Sequence, residues 1–226
     1  MKYENMVEGT FIERPNRFIA HALINENMEV CHVKNTGRCK ELLIPGSKVY
    51  LEKNNNSNRK TKYSLISVNK SGRLINMDSN APNKAVHEWL KEGNLFSDIT
   101  LIRPETKYNN SRFDFYVEHG NKKTFIEVKG VTLEEDGIVR FPDAPTIRGV
   151  KHIYELCEAK KDGYEAYVIF VIQMKDVKYF MPNYSTHKEF GDALIEARKS
   201  GVQILAFDCQ VTKESMKLSD EVEVKL

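Results

Sequence analysis

The chain has 226 residues, of which 41% are hydrophobic and 29% are charged, as is usual for soluble globular proteins with one or two domains. No apolar run approaches the length of a membrane span, and residues 1–5 open no signal-peptide hydrophobic region, so we expect no membrane contact and a cytoplasmic location. The four cysteines, Cys31, Cys39, Cys157 and Cys209, have no zinc spacing, which favours reduced, buried thiols over a metal centre.

Short strands separated by turn residues are predicted in the first third of the chain. They cover residues 18–24, 28–33, 47–51, 63–68 and 73–77, and no convincing helix lies between them. Five short strands within about 80 residues indicate a small all-β barrel, and the OB-fold is the common barrel that binds oligonucleotides. Residues 79–83 are expected to form a linker, so that residues 1–82 are an OB-like nucleic-acid-binding domain.

The basic residues are concentrated in the same part of the chain. Ten lysines and arginines lie between His32 and Arg73, against only Glu41 and Glu52, a local excess of eight positive charges in a chain whose net charge is +2. This asymmetry favours binding to a polyanion such as DNA, and the alternative is a lysine-rich solubilising face. The candidate nucleic-acid contacts in this segment are Arg14, Arg17, Phe18, Asn35, Arg38 and Lys40.

Residues 83–226 are expected to form a second domain, of the α/β class with a mixed sheet, because predicted strands and helices alternate along them. Asn83 is the expected N-cap of a helix over residues 84–91, with Gly93 after its end. Beyond the hairpin described next, the predicted elements are a helix over 143–161, a buried strand over 165–172, a helix over 187–200 and a strand over 202–207.

Two predicted strands joined by Gly120-Asn121 bring two acids together. Aromatic and β-branched residues dominate 112–117 and 124–129, and Gly-Asn is a two-residue hairpin signal with Gly at the first central position. Counting along the antiparallel ladder from this turn places Asp114 opposite Glu127. Like charges at directly opposed positions destabilise a hairpin, so the pair needs a compensating partner.

A bound Mg²⁺ or Mn²⁺ would offset this repulsion, because hard cations bind carboxylate and carbonyl oxygens and keep several waters. We therefore predict Asp114, Glu127 and the Val128 carbonyl as metal ligands, with Glu88 of the preceding helix as a further candidate. Strand alternation places Lys129 beside Glu127, where an ammonium could orient water or stabilise phosphoryl charge. Asp114, Glu127 and Lys129 are the predicted catalytic residues of a phosphodiesterase. The alternatives are a solvated hairpin face and an exposed helical glutamate.

A third cluster lies on the predicted helix over 143–161. Arg148, Lys151 and His152 share one face, at positions i, i+3 and i+4 near the helix start. Unpaired N–H groups and the helix dipole attract anions there, so a DNA phosphate could dock. The alternative is a solvated face paired with Glu155 and Glu158.

These motifs resemble two nested families. Asp114 followed by Glu127-Val128-Lys129 on a hairpin, then by a helix and a buried strand, resembles the PD-(D/E)xK nuclease superfamily, with Phe113 in place of its proline. The whole chain is similar to the sugar fermentation stimulation protein A family. The stretches that carry the second resemblance are Arg14-Pro15-Asn16-Arg17-Phe18, Asn35-Thr36-Gly37-Arg38, Glu41-Leu42-Leu43-Ile44-Pro45-Gly46, Ser111-Arg112-Phe113-Asp114-Phe115, Glu127-Val128-Lys129, Phe141-Pro142-Asp143-Ala144-Pro145-Thr146 and Arg148-Gly149-Val150-Lys151-His152.

The resemblance implies an OB-like barrel followed by a restriction-endonuclease-like domain, DNA binding with little sequence specificity, and a link to sugar utilisation. Pro142-Asp143 is not the nuclease "PD" pair, since it follows the Glu127-Val128-Lys129 strand. The predicted function is a DNA-binding protein with a Mg²⁺-dependent phosphodiesterase site. The alternative is a regulatory DNA-binding protein that uses the nuclease fold only as a clamp.

Overall fold

The first segment of the chain folds into a closed barrel with one additional strand. The computed structural model describes residues 1–35, 37–55 and 59–226, so Thr36 of the family-like stretch lies outside the described residues. The strands are β1 (Met6–Asn16), β2 (Ile19–Ile24), β3 (Asn27–Val33), β4 (Lys48–Lys53), β5 (Tyr63–Lys70) and β6 (Arg73–Asn76).

Strand pairing closes β1 to β5 into an OB-like ring. β1 pairs with β2 and β4, β2 pairs with β3, and β4 pairs with β5, all antiparallel, while a parallel β3–β5 pairing completes the circuit. Ala20, Ala22 and Ile24 alternate into the interior from β2, as period-two strands require. The predicted barrel is confirmed, although the sequence did not predict β1.

The expected linker is not a free connection. Helix α1 spans Ala81–Lys91 and begins after Asn80, so Asn83 lies inside its first turn and is not the N-cap that the sequence predicted. Just before the helix, the Asn76 N–H donates to the carbonyl of Gln173 at 2.9 Å. The chain therefore packs on the second segment as soon as it leaves the barrel.

Charged contacts also dock the barrel on the second segment. Lys70 and Arg73 both bind the carboxylate of Glu134, at 2.8 and 2.9 Å. Glu134 is itself buried and also accepts the Gly137 N–H at 2.6 Å. Part of the basic excess predicted for DNA therefore serves this contact between the two segments.

The second segment is built on a six-stranded mixed sheet in the order β15-β14-β12-β9-β8-β7. Strands β9, β12 and β14 run parallel at its centre, and β7, β8 and β15 are antiparallel to their neighbours. The elements are β7 (Ile99–Tyr108), β8 (Ser111–His119), β9 (Lys122–Val131), β10 (Leu133–Glu135), β11 (Ile138–Phe141), α2 (Ile147–Lys161), β12 (Glu165–Ile172), β13 (Tyr179–Pro182), α3 (Lys188–Lys199), β14 (Gln203–Val211) and β15 (Met216–Glu221).

Helices cover both faces of this sheet. Ile153 of α2 and Phe190 of α3 pack in one core with Phe170 of β12, whereas Trp89 of α1 packs in the other core with Val171. β12 is thus buried on both faces, as its apolar run predicted. Within the described ranges, no helix is long and apolar enough to cross a membrane.

Candidate metal and nucleic-acid site

The candidate site lies where β8 and β9 separate. The Gly120-Asn121 turn is confirmed, and Gly120 has the positive φ of 51° that a Gly-first hairpin turn requires. Pairs run without a shift from His119–Lys122 to Phe115–Ile126. The ladder ends there, one step before the predicted Asp114–Glu127 pair.

At this point the Asp114 side chain, and not a main-chain carbonyl of β8, accepts the hydrogen bond from the Val128 N–H. Its Oδ2 accepts the Val128 N–H at 2.7 Å, and its Oδ1 accepts a hydrogen bond from the Asn83 amide at 2.7 Å. The N–H and C=O of one strand residue point toward the same neighbouring strand. The Val128 carbonyl therefore faces the Asp114 side as well, where no β8 main-chain pair is formed.

Glu127 is buried beneath this opening, with only 3% of its surface exposed. Its Oε1 receives hydrogen bonds from Lys129 Nζ and His152 Nδ1, both at 2.5 Å. Its Oε2 is buried and has no hydrogen-bond partner among the described residues. The solvated hairpin face considered from the sequence is wrong, because Glu127 does not reach solvent.

The pKa values of the two carboxyl groups are shifted in opposite directions. Burial, and next the charge of Glu127, raise the pKa of Asp114 to about 6, although hydrogen bonds from Val128 and Asn83 act in the opposite direction. Burial also opposes ionisation of Glu127, but the His152 hydrogen bond and the Lys129 charge outweigh it and hold the pKa of Glu127 below its usual range. At neutral pH both groups are ionised, and the charge of Lys129 offsets their repulsion only in part, because the pKa of Asp114 stays raised.

The donor set fits a hard divalent cation. A buried carboxylate oxygen lowers the stability of the fold unless it accepts a hydrogen bond or binds a metal ion. Among the described residues, no group of three or more His, Cys, Asp or Glu side chains could hold a metal ion. Asp114, Glu127 and the Val128 carbonyl leave the remaining positions to water, which suits Mg²⁺ or Mn²⁺ better than zinc.

Helix α1 contributes a different residue from the one predicted. Glu88 is not brought to the cluster, because its carboxylate binds the Met1 ammonium at 2.6 Å. Asn83, which the sequence assigned to a helix cap, instead holds Asp114. Asn83 was missed because an Asn near a helix start is a common capping signal.

His152 makes a contact that the sequence did not predict. It is only 5% exposed and its Nδ1 lies 2.5 Å from Glu127 Oε1, although it also lines the open groove beside Arg148 and Lys151. The Arg148 Nε–H donates to His152 Nε2 at 3.4 Å, which leaves the ring proton on Nδ1, toward the carboxylate. Arg148 and Lys151 remain exposed and retain the predicted position for anion binding.

The barrel candidates divide into two groups. The guanidinium of Arg14, which is half-buried, donates to four carbonyls, those of Gly37, Arg38, Arg17 and Asn35, at 2.6 to 2.9 Å. The Asn35 side chain accepts the Gly37 N–H at 2.8 Å. Arg14 and Asn35 therefore organise the loop, and Arg14 also lines the groove described next. Their contact with nucleic acid stays a prediction.

The other barrel candidates remain available at the surface. Arg17, Phe18, Arg38 and Lys40 are exposed, and the Arg17 guanidinium lies over the Phe18 ring at 5.3 Å from its centroid. Arg17, Arg38 and Lys40 line an open groove of about 500 Å³. A cationic groove beside an exposed aromatic ring suits a nucleic-acid strand.

Comparisons with known proteins identify the family. A family model described as "Sugar fermentation stimulation protein RE domain" matches residues 80–215, and a second, described as "SfsA N-terminal OB domain", matches residues 12–77. The chain belongs to the sugar fermentation stimulation protein family. Sugar fermentation stimulation protein homologs of Clostridium beijerinckii and Ruminiclostridium cellulolyticum are 64% and 63% identical to it, over 100% of both chains in each case.

A solved structure of the same family has the same fold. Pyrococcus furiosus SfsA, solved in complex with Ca²⁺, superposes with a TM-score of 0.90 at 28% identity, over 100% of this chain and 98% of that one. The family resemblance and the predicted architecture, an OB-like barrel followed by a restriction-endonuclease-like α/β domain, are therefore confirmed.

Proposed function

We propose that this member of the family binds DNA with little sequence specificity and carries a Mg²⁺- or Mn²⁺-dependent phosphodiesterase site in its second segment. The observation that carries the proposal is the buried, unpartnered Oε2 of Glu127 beside Asp114. The repulsion between the two carboxylates and the unmade hydrogen bond are both costs in the free protein. A divalent cation removes both at once.

Each residue of the cluster has a distinct part in this function. A bound divalent cation would supply an activated water and neutralise phosphoryl charge. Asp114, Glu127 and the Val128 carbonyl would hold it, while Asn83 and His152 fix the orientations of the two carboxylates. The Lys129 ammonium lies 2.5 Å from Glu127, close enough to orient the attacking water or to stabilise charge on the phosphate.

Two further facts support the proposal. The barrel has an OB fold and an exposed cationic groove with Phe18 beside it, a combination that binds nucleic-acid strands. Pyrococcus furiosus SfsA was solved in complex with Ca²⁺. Calcium and magnesium both bind oxygen ligands, so a calcium complex of a relative is compatible with a hard-cation site here.

A non-catalytic DNA clamp is the second candidate. It is favoured by the engagement of Glu88 with the Met1 ammonium, which leaves the cluster with two carboxylates and no third. A site with fewer carboxylates binds its cation less tightly. In this alternative the nuclease fold serves DNA binding and regulation alone.

Cleavage assays separate the two functions. Purified wild-type protein is incubated with single- and double-stranded DNA in Mg²⁺, Mn²⁺ or EDTA, beside Asp114→Asn and Lys129→Ala. Asp192→Asn and Lys188→Ala are matched controls, because these residues form an exposed ion pair on α3 at 2.6 Å. We expect divalent-dependent cleavage by the wild type and both controls, and none by the two site variants. If the wild type cuts under neither ion, the clamp function stands.

A further inference from the structure

An open groove of about 610 Å³ lies between the β7–β8 tip and the start of α2. Its inner end is formed by His152, whose other side contacts Oε1 of Glu127 at 2.5 Å. A ligand lying in the groove is therefore separated from the carboxylate cluster by one side chain. The groove is distinct from the barrel groove that contains Arg17 and Arg38.

The groove walls are cationic. Lys107 and Arg112 come from the β7–β8 hairpin, Arg148 and Lys151 come from α2, and the acid that lines the groove with them is Glu105. The Arg112–Glu105 distance is 4.0 Å. Lys151 Nζ lies 3.7 Å from Glu155 and donates to the Asn110 carbonyl at 3.3 Å. The four cations are exposed, and ion pairs as long as these contribute little, so an anionic ligand can compete for the cations.

Two exposed nonpolar side chains continue this surface along α2. Ile147 is 84% exposed and Tyr154 is 47% exposed. They are seven residues apart, so with Lys151 between them they form one stripe on the helix. An aromatic ring, an aliphatic side chain and a cation on one face offer stacking and phosphate contacts together.

We propose that this groove binds a single strand of DNA and leads its backbone to the carboxylate cluster. Arg148 and Lys151 contact phosphates, and Tyr154 and Ile147 contact unstacked bases. Duplex DNA keeps its bases stacked and paired, so it can use the cations but not the nonpolar stripe. This inference rests on the proposed function and specifies its substrate as single-stranded DNA.

The test measures binding apart from cleavage. Fluorescence anisotropy in EDTA, where no divalent cation is present, is used to titrate a labelled single strand and the matching duplex over a range of salt concentrations. The variant Arg148→Ala/Lys151→Ala is compared with Arg198→Ala/Lys199→Ala, which removes the same two residue types from α3. Tyr154→Ala is compared with Tyr154→Phe, which keeps the ring. Thermal melting checks that every variant is folded.

We expect Arg148→Ala/Lys151→Ala to flatten the log–log salt dependence of single-strand affinity by about 1.4, which corresponds to two phosphate contacts of about 0.7 each. Arg198→Ala/Lys199→Ala should have the same salt dependence as the wild type. Tyr154→Ala should weaken single-strand binding about fivefold or more, since stacking contributes roughly 1–3 kcal/mol per base, with little effect on duplex. Tyr154→Phe should behave as the wild type.

Two results would overturn the inference. One is an Arg148→Ala/Lys151→Ala variant that binds the single strand as the α3 variant does. The other is a Tyr154→Ala variant that loses duplex and single-strand affinity equally. Absence of cleavage by the wild type would refute the phosphodiesterase function and leave the binding result intact, so the two failures are distinguishable.

Discussion

Asp114→Asn should make the metal-free protein more stable at neutral pH. The pKa of Asp114 is raised to about 6 by burial and by the charge of Glu127, whereas an aspartate in an unfolded chain has a pKa of about 3.9. A raised pKa means that the folded protein binds the proton more tightly than the unfolded chain does. Ionisation of Asp114 therefore destabilises the folded protein. This loss of stability is absent below pH 4, develops between pH 4 and 6 and is complete above pH 6.

The expected magnitude follows from this difference. Two pKa units correspond to about 3 kcal/mol at pH 7.5, since each unit is about 1.4 kcal/mol. The amide can accept only one of the hydrogen bonds that the carboxylate accepts from Val128 and Asn83, and one lost bond costs about 1 kcal/mol. The variant should therefore be more stable by about 2 kcal/mol at pH 7.5. At pH 4.5 about two thirds of this loss of stability has gone, and the two proteins should be nearly equal.

Urea unfolding in EDTA at pH 7.5 and pH 4.5 measures both differences. In Mn²⁺ at a hundredfold excess over its dissociation constant, the wild type should gain about 2.7 kcal/mol, and Asp114→Asn should gain almost none. Asp192→Asn is the control, because that carboxylate is exposed on α3. A variant that is equally destabilised at both pH values, or that keeps the full Mn²⁺ gain, would show that Asp114 is an ordinary structural acid.

Variants at three further residues, His152, Arg14 and Lys129, test the roles assigned to their side chains. His152→Leu should weaken Mn²⁺ binding about 10- to 100-fold in calorimetry, whereas His152→Asn, which can donate near the Nδ1 position, should restore most of it; equal losses would mean that His152 only fills space. Arg14→Ala should lower the free energy of unfolding by about 2–4 kcal/mol, since its four carbonyl hydrogen bonds are lost; an unchanged stability with lower DNA affinity would mean that Arg14 contacts DNA and does not hold the loop. Lys129→Ala should leave DNA affinity within about threefold, below roughly 0.7 kcal/mol, and abolish cleavage; a large affinity loss would place Lys129 on the DNA surface.

The hairpin and the central strand were predictable because their signals are local. A Gly-first turn fixes the register of the strands that flank it, so pairs as far as Phe115–Ile126 follow from counting residues. The apolar run at residues 165–172 coincides with β12 (Glu165–Ile172), because a strand with helices on both faces has no polar alternation. The same register placed Lys129 beside Glu127, as observed.

Elements at sheet edges and in the barrel wall were missed for equally physical reasons. β7 is an edge strand, mostly half-buried or exposed, and contains Pro104, which argues against a strand in sequence but is tolerated at an edge. β1 contains Gly9, where a Cβ would lie 2.9 Å from the Leu23 carbonyl oxygen. The close approach of the Leu23 backbone requires a glycine at this position of β1, and a glycine weakens the apolar alternation by which a strand is recognised in sequence.

The roles of Arg14, Asn83 and His152 depend on contacts between distant parts of the chain. His152 reaches Glu127 across 25 positions, and Asn83 reaches Asp114 across 31. Sequence spacing shows which residues share a helix face, but it does not show which of their side chains the sheet covers. On α2, the His152 side chain is turned toward β9, so this predicted phosphate ligand also supports the carboxylate of Glu127.

The unfavourable features of the cluster are the physical ground for the proposed metal site. A structural role for Glu127 would be best served by a partner on each oxygen, yet two donors converge on Oε1 and Oε2 has none among the described residues. Asp114 likewise interrupts the β8–β9 ladder and carries a raised pKa. Each feature lowers the stability of the free protein, and a divalent cation relieves both. Local instability of this kind persists where a ligand offsets it, which is why the stability of Asp114→Asn tests the proposed function directly.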